Sequence, residues 1–446
     1  MKQVLTISLL AISCAAAAQV AVTGSPVIEV QVPQSMGYTS VYVVKDAADA
    51  TISYTASRPG AQWERWDSRG AAFAEPVTGV THDGNTSMVQ GTAGDTGYRI
   101  TEADGVTVHY LWVTDYARHR YMVSALGIAD GSDCGRAVLS VQGSADAITA
   151  YSINGRPQVI DRDIHISYYT LAYDAGADAY AQVTHSESIA SVGATVGVPA
   201  PLCDTRFTMS PDRFSREWYP TVGDVDTPSY TAVAVEAHTS AEQVYESADN
   251  EQKTEGESDA LGGSAPCEIT FRAAVTDAAI YRRWEVSVTP DFADAELQYD
   301  QLEFTHTFTD AGTRYVRFTA DNASGSCPYE GDVYTINIGE SRLLCPNAFS
   351  PGASEGVNDE WRVSYRSIVS FECQIFNRWG KRLATLTHPS QGWDGKVGGK
   401  VVPSGVYFYA IKARGADGKD YKLSGDINVI GSSQSAASGP ALNRAR

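Results

Sequence analysis

The sequence is poor in positive charge. Its 446 residues carry 34 Lys and Arg against 53 Asp and Glu, a formal net charge of −19. A phosphate-binding surface needs clustered Lys and Arg to release counterions, and the chain has no such cluster. Nucleic acid is therefore not an expected partner, and the acidic balance reads as a device for solubility. Long apolar runs are equally scarce. Beyond the first 18 residues no run is long enough to cross a bilayer as a helix. The eight histidines are scattered singly. The chain lacks a G-x-S-x-G elbow, H-E-x-x-H, a P-loop and a dinucleotide fingerprint. It has no C-x-x-C and no close Cys/His group, so no metal site is expected. Among 53 acidic residues, two carboxylates close in sequence carry no information about glycoside chemistry. The small modules described below also leave no room for a large catalytic domain. The expectation is a non-enzyme without cofactor or metal.

What is present begins with Met1 and Lys2, then an apolar run from Val4 to Ala18 that ends in four alanines. Ala16-Ala17-Ala18 before Gln19 fits the small-residue cleavage site of a secretory signal peptide, residues 1–18. A buried N-terminal element and a lipoprotein signal with Cys14 lipidated are the other readings. Against the latter, Ala11 stands where a large aliphatic residue is preferred. Removing the signal leaves about 428 residues, enough for three or four domains.

Seven cysteines lie at 14, 134, 203, 267, 327, 345 and 373. Without Cys14 there are six, an even number suited to an oxidising compartment. The simplest of the 15 connectivities places one bridge in each domain: Cys134–Cys203, Cys267–Cys327 and Cys345–Cys373. Each would stabilise its domain by roughly 2–4 kcal/mol.

The body of the chain reads as strand after strand. Ser40–Val44, Ala50–Thr55 and Val106–Val113 are rich in β-branched and aromatic residues, separated by turns such as Asp83-Gly84-Asn85 and Asp104-Gly105. Only Ser240–Ser247 has a helical period. An all-β chain of tandem immunoglobulin-like β-sandwich modules is expected. The first module covers 19–118. Asp95-Thr96-Gly97-Tyr98 suggests a tyrosine corner there. Trp63 and Trp66, three apart on a strand, should face opposite sides, one in the core and one exposed. A second β module covers 119–245, with strand-like runs Arg136–Val141, Ile164–Tyr173 and Tyr230–Val235 and a long loop between Ser210 and Thr227. Residues 246–266 have almost no apolar content and read as a flexible acidic linker. A third module covers 267–341. Phe304, His306 and Phe308 alternate before the turn at Asp310-Ala311-Gly312, a pattern that resembles PKD-like and immunoglobulin-like modules of surface proteins. His306 is expected to be half-buried in a strand.

Residues 345–432 form a small β-sandwich with four distinctive blocks. The first contains Pro346, Asn347, Phe349 and Pro351, followed by Asn358, Asp359 and Trp361. The second is Asn377-Arg378-Trp379-Gly380, a turn whose Asn and Gly tolerate positive φ. The third is Trp393-Asp394-Gly395, and the fourth contains Pro403, Gly405 and Tyr407. Three tryptophans should supply much of the core of so small a domain. Tyr407 and Tyr409 should lie on one strand face and Phe408 on the other.

These blocks, in this order, resemble the type B C-terminal sorting domain of type IX secretion cargo. It is also called the gliding motility-associated C-terminal domain and occurs in Bacteroidota. The resemblance implies export to the periplasm, passage through the outer membrane by the type IX machinery, and retention on the cell surface by an outer-membrane barrel of the PorP/SprF family. Where the family usually continues with Asn-Gly-Asp-Gly, this chain has Gly352-Ala353-Ser354-Glu355-Gly356, which lacks the several carboxylates that calcium needs. A Ser/Ala-rich tail, 433–446, reads as disordered. The implied function is a cell-surface structural and anchoring protein. The alternatives are an adhesin that binds host protein or glycan through the N-terminal modules, and a hydrolase with an unrecognised site.

Overall fold

The computed structural model describes residues 20–67, 72–244, 248–252, 260–353 and 356–431. The expected signal peptide and C-terminal tail lie outside the described residues. Strands dominate. The described residues contain one α-helix, Arg213–Trp218, capped by Asp212, whose side chain accepts from Ser215 N. It lies within the stretch expected to be a loop. Ser240–Ser247 is not helical where described, because Ala237–Gln243 is a strand paired with Cys267–Val275. Its alternate residues pack against a β core, so tertiary pairing overrides the local period. Tyr230–Val235 is not a strand either; Tyr230 makes a single bridge to Thr205. No helix among the described residues is long and apolar enough to cross a membrane.

Two compact units divide the chain: 1–172 with 182–234, and 173–181 with 235–446. In the first unit a four-stranded sheet faces a six-stranded one. Strand Val108–Asp115 is central to the larger sheet, parallel to Ser40–Val44 and antiparallel to Thr96–Thr101. Tyr98 leaves its turn and donates its hydroxyl to Ala93 O at 3.1 Å, the bond of a tyrosine corner. Trp63, Ile100, Leu111 and Val113 fill the core between the two sheets.

The other face of the six-stranded sheet is also covered. Trp66, Phe73 and Trp112 pack there with Ile148, Ala150, Ile160 and Phe214. Trp66 stacks on Tyr151 at 5.2 Å. The expectation that one of Trp63 and Trp66 would be exposed is therefore corrected. They do belong to opposite faces, but both are buried, because the chain beyond residue 118 supplies a second layer. A third core gathers Leu139, Ile164, Ile166 and Phe207 around the sheets of residues 125–226.

Arg162 ties this unit together. It is fully buried, bonds Asp212 at 2.8 Å, and donates to the carbonyls of His119 at 2.7 Å and Asp146. Tyr116 donates its hydroxyl to the same Asp212 at 2.8 Å. A buried ion pair is tolerated only when its remaining donors and acceptors are satisfied, and these bonds satisfy them.

In the second unit, sheets Ala237–Gln243/Cys267–Val275/Glu303–Phe308 and a sheet centred on Gly312–Asp321 enclose Phe271, Trp284, Phe304 and Phe318. His306 is partly buried. Its Nδ1 lies 3.1 Å from Tyr299 Oη, and burial lowers its pKa.

The acidic stretch is not wholly a linker. Residues 245–247 and 253–259 lie outside the described residues, but 248–252 dock on residues 363–389. Asn250 Nδ2 donates to Val363 O at 2.7 Å and to Pro389 O at 2.8 Å, and Glu251 bridges Tyr365. Gly262–Gly263 extends a sheet beside Tyr334–Ile338. The Asn250 side chain, backbone hydrogen bonds between Tyr365 and residues 250 and 252, and the Gly262–Gly263 pairing hold this stretch although it has few apolar side chains.

The cysteine pairing is also corrected. Cys134 and Cys327 are the disulfide-bonded residues. Cys134 does not pair with Cys203, whose sulfur lies 4.0 Å from Gln182 Nε2. Cys267 is a buried thiol whose pKa is pushed up to about 11 by burial, so Cys267–Cys327 does not form. Cys345 and Cys373 are both thiols beside one core. Burial and the neighbouring Cys345 push the Cys373 pKa up to about 12. One bridge per domain would need all six of these cysteines bonded, whereas Cys267, Cys345 and Cys373 are thiols.

Candidate functional site

The C-terminal domain is built on a five-stranded sheet: Ala348–Phe349, Asp420–Val429, Gly405–Gly415, Ile368–Phe376 and Arg382–Leu386. The alternation of Phe371, Cys373 and Ile375 puts them in the core with Ile411 and Ile427. Over this sheet lies a belt made by the first and third sequence blocks. Trp361 is fully buried and donates Nε1–H to Pro346 O at 2.7 Å. Trp361 and Trp393 exchange backbone hydrogen bonds of 2.9 and 3.0 Å as a single antiparallel bridge. Trp393 packs on Phe349 and on Tyr407, each at 5.5 Å between ring centroids.

Several polar positions of these blocks are structural. Asp359 accepts from Gly352 N at 2.9 Å and Gly356 N at 2.7 Å, which closes the loop where the family's acidic run is missing. Asn358 adopts φ +53° and offers its carbonyl to Ser350 N. Asn347 presents its carbonyl to the edge of Asp420–Val429, accepting from Asn428 N at 2.9 Å, and Pro351 is buried. Asp394 accepts from Lys396 N at 3.0 Å. Burial pushes its carboxyl up, but the bonds from Lys396 outweigh burial and leave it below its usual range. Gly395 has φ +70°, and a Cβ there would lie 3.1 Å from Phe349 and Pro351, so this turn requires glycine.

The second and fourth blocks do something different. Asn377 Oδ1 accepts from Trp379 N and Lys381 N, both at 3.0 Å, and Gly380 sits at φ +77°. This Asx turn throws Trp379 outward, 75% exposed, with the Arg378 guanidinium 4.5 Å from its ring centroid. The expectation that all three tryptophans fill the core is corrected: Trp361 and Trp393 do, and Trp379 does not. Facing this turn, Pro403 O accepts the Tyr407 hydroxyl at 2.9 Å, which fixes the start of strand Gly405–Gly415. Burial raises the Tyr407 pKa and the Arg378 charge pulls it back.

Between the two blocks is a groove of about 430 Å³. Asn377, Arg378, Trp379, Pro403, Gly405 and Tyr407 line it. Pro346, Asn347, Phe349, Pro351, Asn358, Asp359, Trp361, Gly380, Trp393, Asp394 and Gly395 are not in its lining. The wall also includes Leu383, Val397, Val402, Ser404, Val406 and Phe408, which the sequence blocks did not single out. Phe408 is 43% exposed while Tyr407 is buried, as the strand alternation predicted, and that was the available signal. Val406, Val397 and Val401 are also exposed around the rim. The lining has no acid–base or nucleophile pair. It is a largely apolar surface with one cation, Arg378.

Residues 343–429 match the family model described as the CHU_C type IX secretion signal domain. Residues 127–225 match a fibronectin type III domain. Neither is a catalytic family. No curated protein matches the chain. Among solved structures, the chain is similar to the immunoglobulin domains 1–5 of Sidekick-1, at 10% identity over 92% of this chain and 78% of that one, with a TM-score of 0.23. It is also similar to dimeric latent PorU from Porphyromonas gingivalis, at 11% identity over 74% of this chain, with a TM-score of 0.16. The chain spans 36% of the PorU chain.

Proposed function

We propose, for a chain that carries a type IX secretion signal domain at 343–429 behind β-sandwich modules, that it is a surface-anchoring structural protein. The secretion signal domain supports export through the type IX system and a cell-surface or secreted location. The finer reading is that the same domain then holds the protein by docking to an outer-membrane barrel of the PorP/SprF kind, while the preceding modules project outward.

The observation that carries this reading is the groove beside Trp379. A tryptophan 75% exposed, beside an exposed Phe408 and three exposed valines, is costly in water unless a partner covers it. Tryptophan and arginine are also the residue types on which binding energy concentrates, and here Arg378 lies against Trp379. The six groove residues of the second and fourth blocks act together at this surface. The buried residues of the other blocks hold it in place.

The test is capture of the barrel from mildly solubilised outer membranes by the intact chain and by Trp379→Ala. The reading predicts that the intact chain retains a barrel and that the variant loses at least about tenfold of it. Equal capture by both chains, or capture by neither, would overturn it.

A further inference from the structure

The second unit carries another recess, away from the sorting-domain groove and unused by the anchoring reading. It lies on the sheet containing Tyr281–Ser287 and Gly312–Asp321 and has a volume of about 530 Å³. Strand register sets its floor. Tyr281 stands opposite Asp321, Arg283 opposite Thr319, and Glu285 opposite Arg317. Because side chains alternate across a strand, residues 281, 283 and 285 share the outer face while Trp284 and Val286 enter the core.

The polar groups here are fixed by one another. Arg283 Nε lies 3.6 Å from Asp300 Oδ1. Arg317, on the neighbouring strand, bonds Glu285 at 2.8 Å, reaches Glu330 at 3.6 Å, and rests over the Phe292 ring at 4.3 Å. Each guanidinium has five N–H groups and each carboxylate about four acceptor sites, so these pairs leave donors and acceptors unused along the ladder. At the end of the ladder Tyr281 is 61% exposed and Ile280 is 55% exposed, an uncovered ring face and an apolar edge.

The charge inventory selects the ligand. The lining holds two arginines, 282 and 283, and four carboxylates, Glu285, Asp300, Asp321 and Glu330, a net of −2. That repels polyanions. The carboxylates already have partners: three face arginines, and Asp321 accepts from the backbone of Asn322 and Cys327 at 2.8 and 2.9 Å. An ammonium group would have to compete for these carboxylates with the arginines and backbone N–H groups that already hold them. A neutral ligand rich in hydroxyls, each able to donate and accept, matches an alternating ladder of donors and acceptors. Its C–H face matches an exposed tyrosine ring. The volume is in the range of small-molecule sites. We propose that this recess binds a neutral oligosaccharide, with its hydroxyls on the Arg283–Asp300 pair and on the Arg317-bonded Glu285, and one sugar face on Tyr281.

The experiment is calorimetric titration of the intact chain with cellohexaose, mannohexaose and xylohexaose, with hyaluronan hexasaccharide and hexalysine as charged probes. At least one neutral hexasaccharide is expected to bind. Tyr281→Ala should weaken it at least about fivefold, Arg283→Ala should weaken it too, and Trp379→Ala should leave it unchanged. Tyr281 is exposed, so its variant should keep the parent's thermal midpoint, which separates lost binding from lost fold. The proposal is overturned if none of the neutral sugars binds, if only a charged probe binds, or if Tyr281→Ala binds as the parent does. Barrel capture and sugar binding are read separately, so failure of one leaves the other standing.

Discussion

The tryptophans of the two ends of the molecule have different surroundings. In the first unit Trp63, Trp66 and Trp112 are all buried, because the six-stranded sheet is covered on both faces. In the secretion signal domain Trp361 and Trp393 are buried, while Trp379 stands 75% exposed on a turn held by Asn377. Burial of an aromatic side chain is the default where a second layer is at hand. An aromatic held out by a well-bonded turn, with no layer over it among the described residues, is the kind of surface that the proposed partner would cover. On the proposed reading, the first end of the chain is organised for stability and the other end for contact.

The largest expected effect lies in the first unit. Arg162→Ala leaves Asp212 charged and buried without its partner, and should cost about 3–5 kcal/mol in chemical denaturation. Next, the comparison can be drawn within one domain. Trp361→Ala opens a cavity in the core and should cost about 3–5 kcal/mol, whereas Trp379→Ala should change stability by no more than about 0.5 kcal/mol and yet abolish barrel capture. If Trp379→Ala also destabilises the domain strongly, the contrast between framework and contact surface fails.

A smaller effect is expected at the acidic stretch. Asn250→Ala removes the donor shared by Val363 O and Pro389 O, and should cost about 1–3 kcal/mol if 248–252 is a strap. A change near zero would restore the reading of this segment as a linker. The smallest effect concerns pH. Bonds from the Ser57 and Tyr54 hydroxyls hold the Glu102 carboxyl below its usual range. Its contribution is therefore present above the ordinary carboxyl pKa of about 4.3 and is lost as pH falls through the folded value. Glu102→Gln should flatten the acid limb of an unfolding curve measured between about pH 5 and 2.

Much of this was legible from residue types and spacing. β-Branched and aromatic composition located Ser40–Val44, and period-two alternation located the strands holding Phe304, His306 and Phe308 and Tyr407, Phe408 and Tyr409, because a half-buried strand needs it. Tyr98 announced its corner, since a tyrosine entering a strand after Asp-Thr-Gly has an upstream carbonyl in reach. Asn377 and Gly380 announced their turn through the conformations that they tolerate. The errors share one cause. Trp66, the strand Ala237–Gln243 and the docked residues 248–252 were judged by local composition, but their surroundings come from residues far along the chain.

Residue order was enough to establish a β protein with an excess of acidic side chains and a C-terminal block order resembling a type IX sorting domain. Those properties rest on local geometry: alternation, turn chemistry and the fixed spacing of Trp, Asn and Gly. Folding in three dimensions settled the rest. It left Trp379 outside while Trp66 is buried, made Cys134 and Cys327 the bonded cysteines, and placed Arg162 fully buried against Asp212. Burial and pairing depend on which distant segments meet, and spacing along the chain does not encode that.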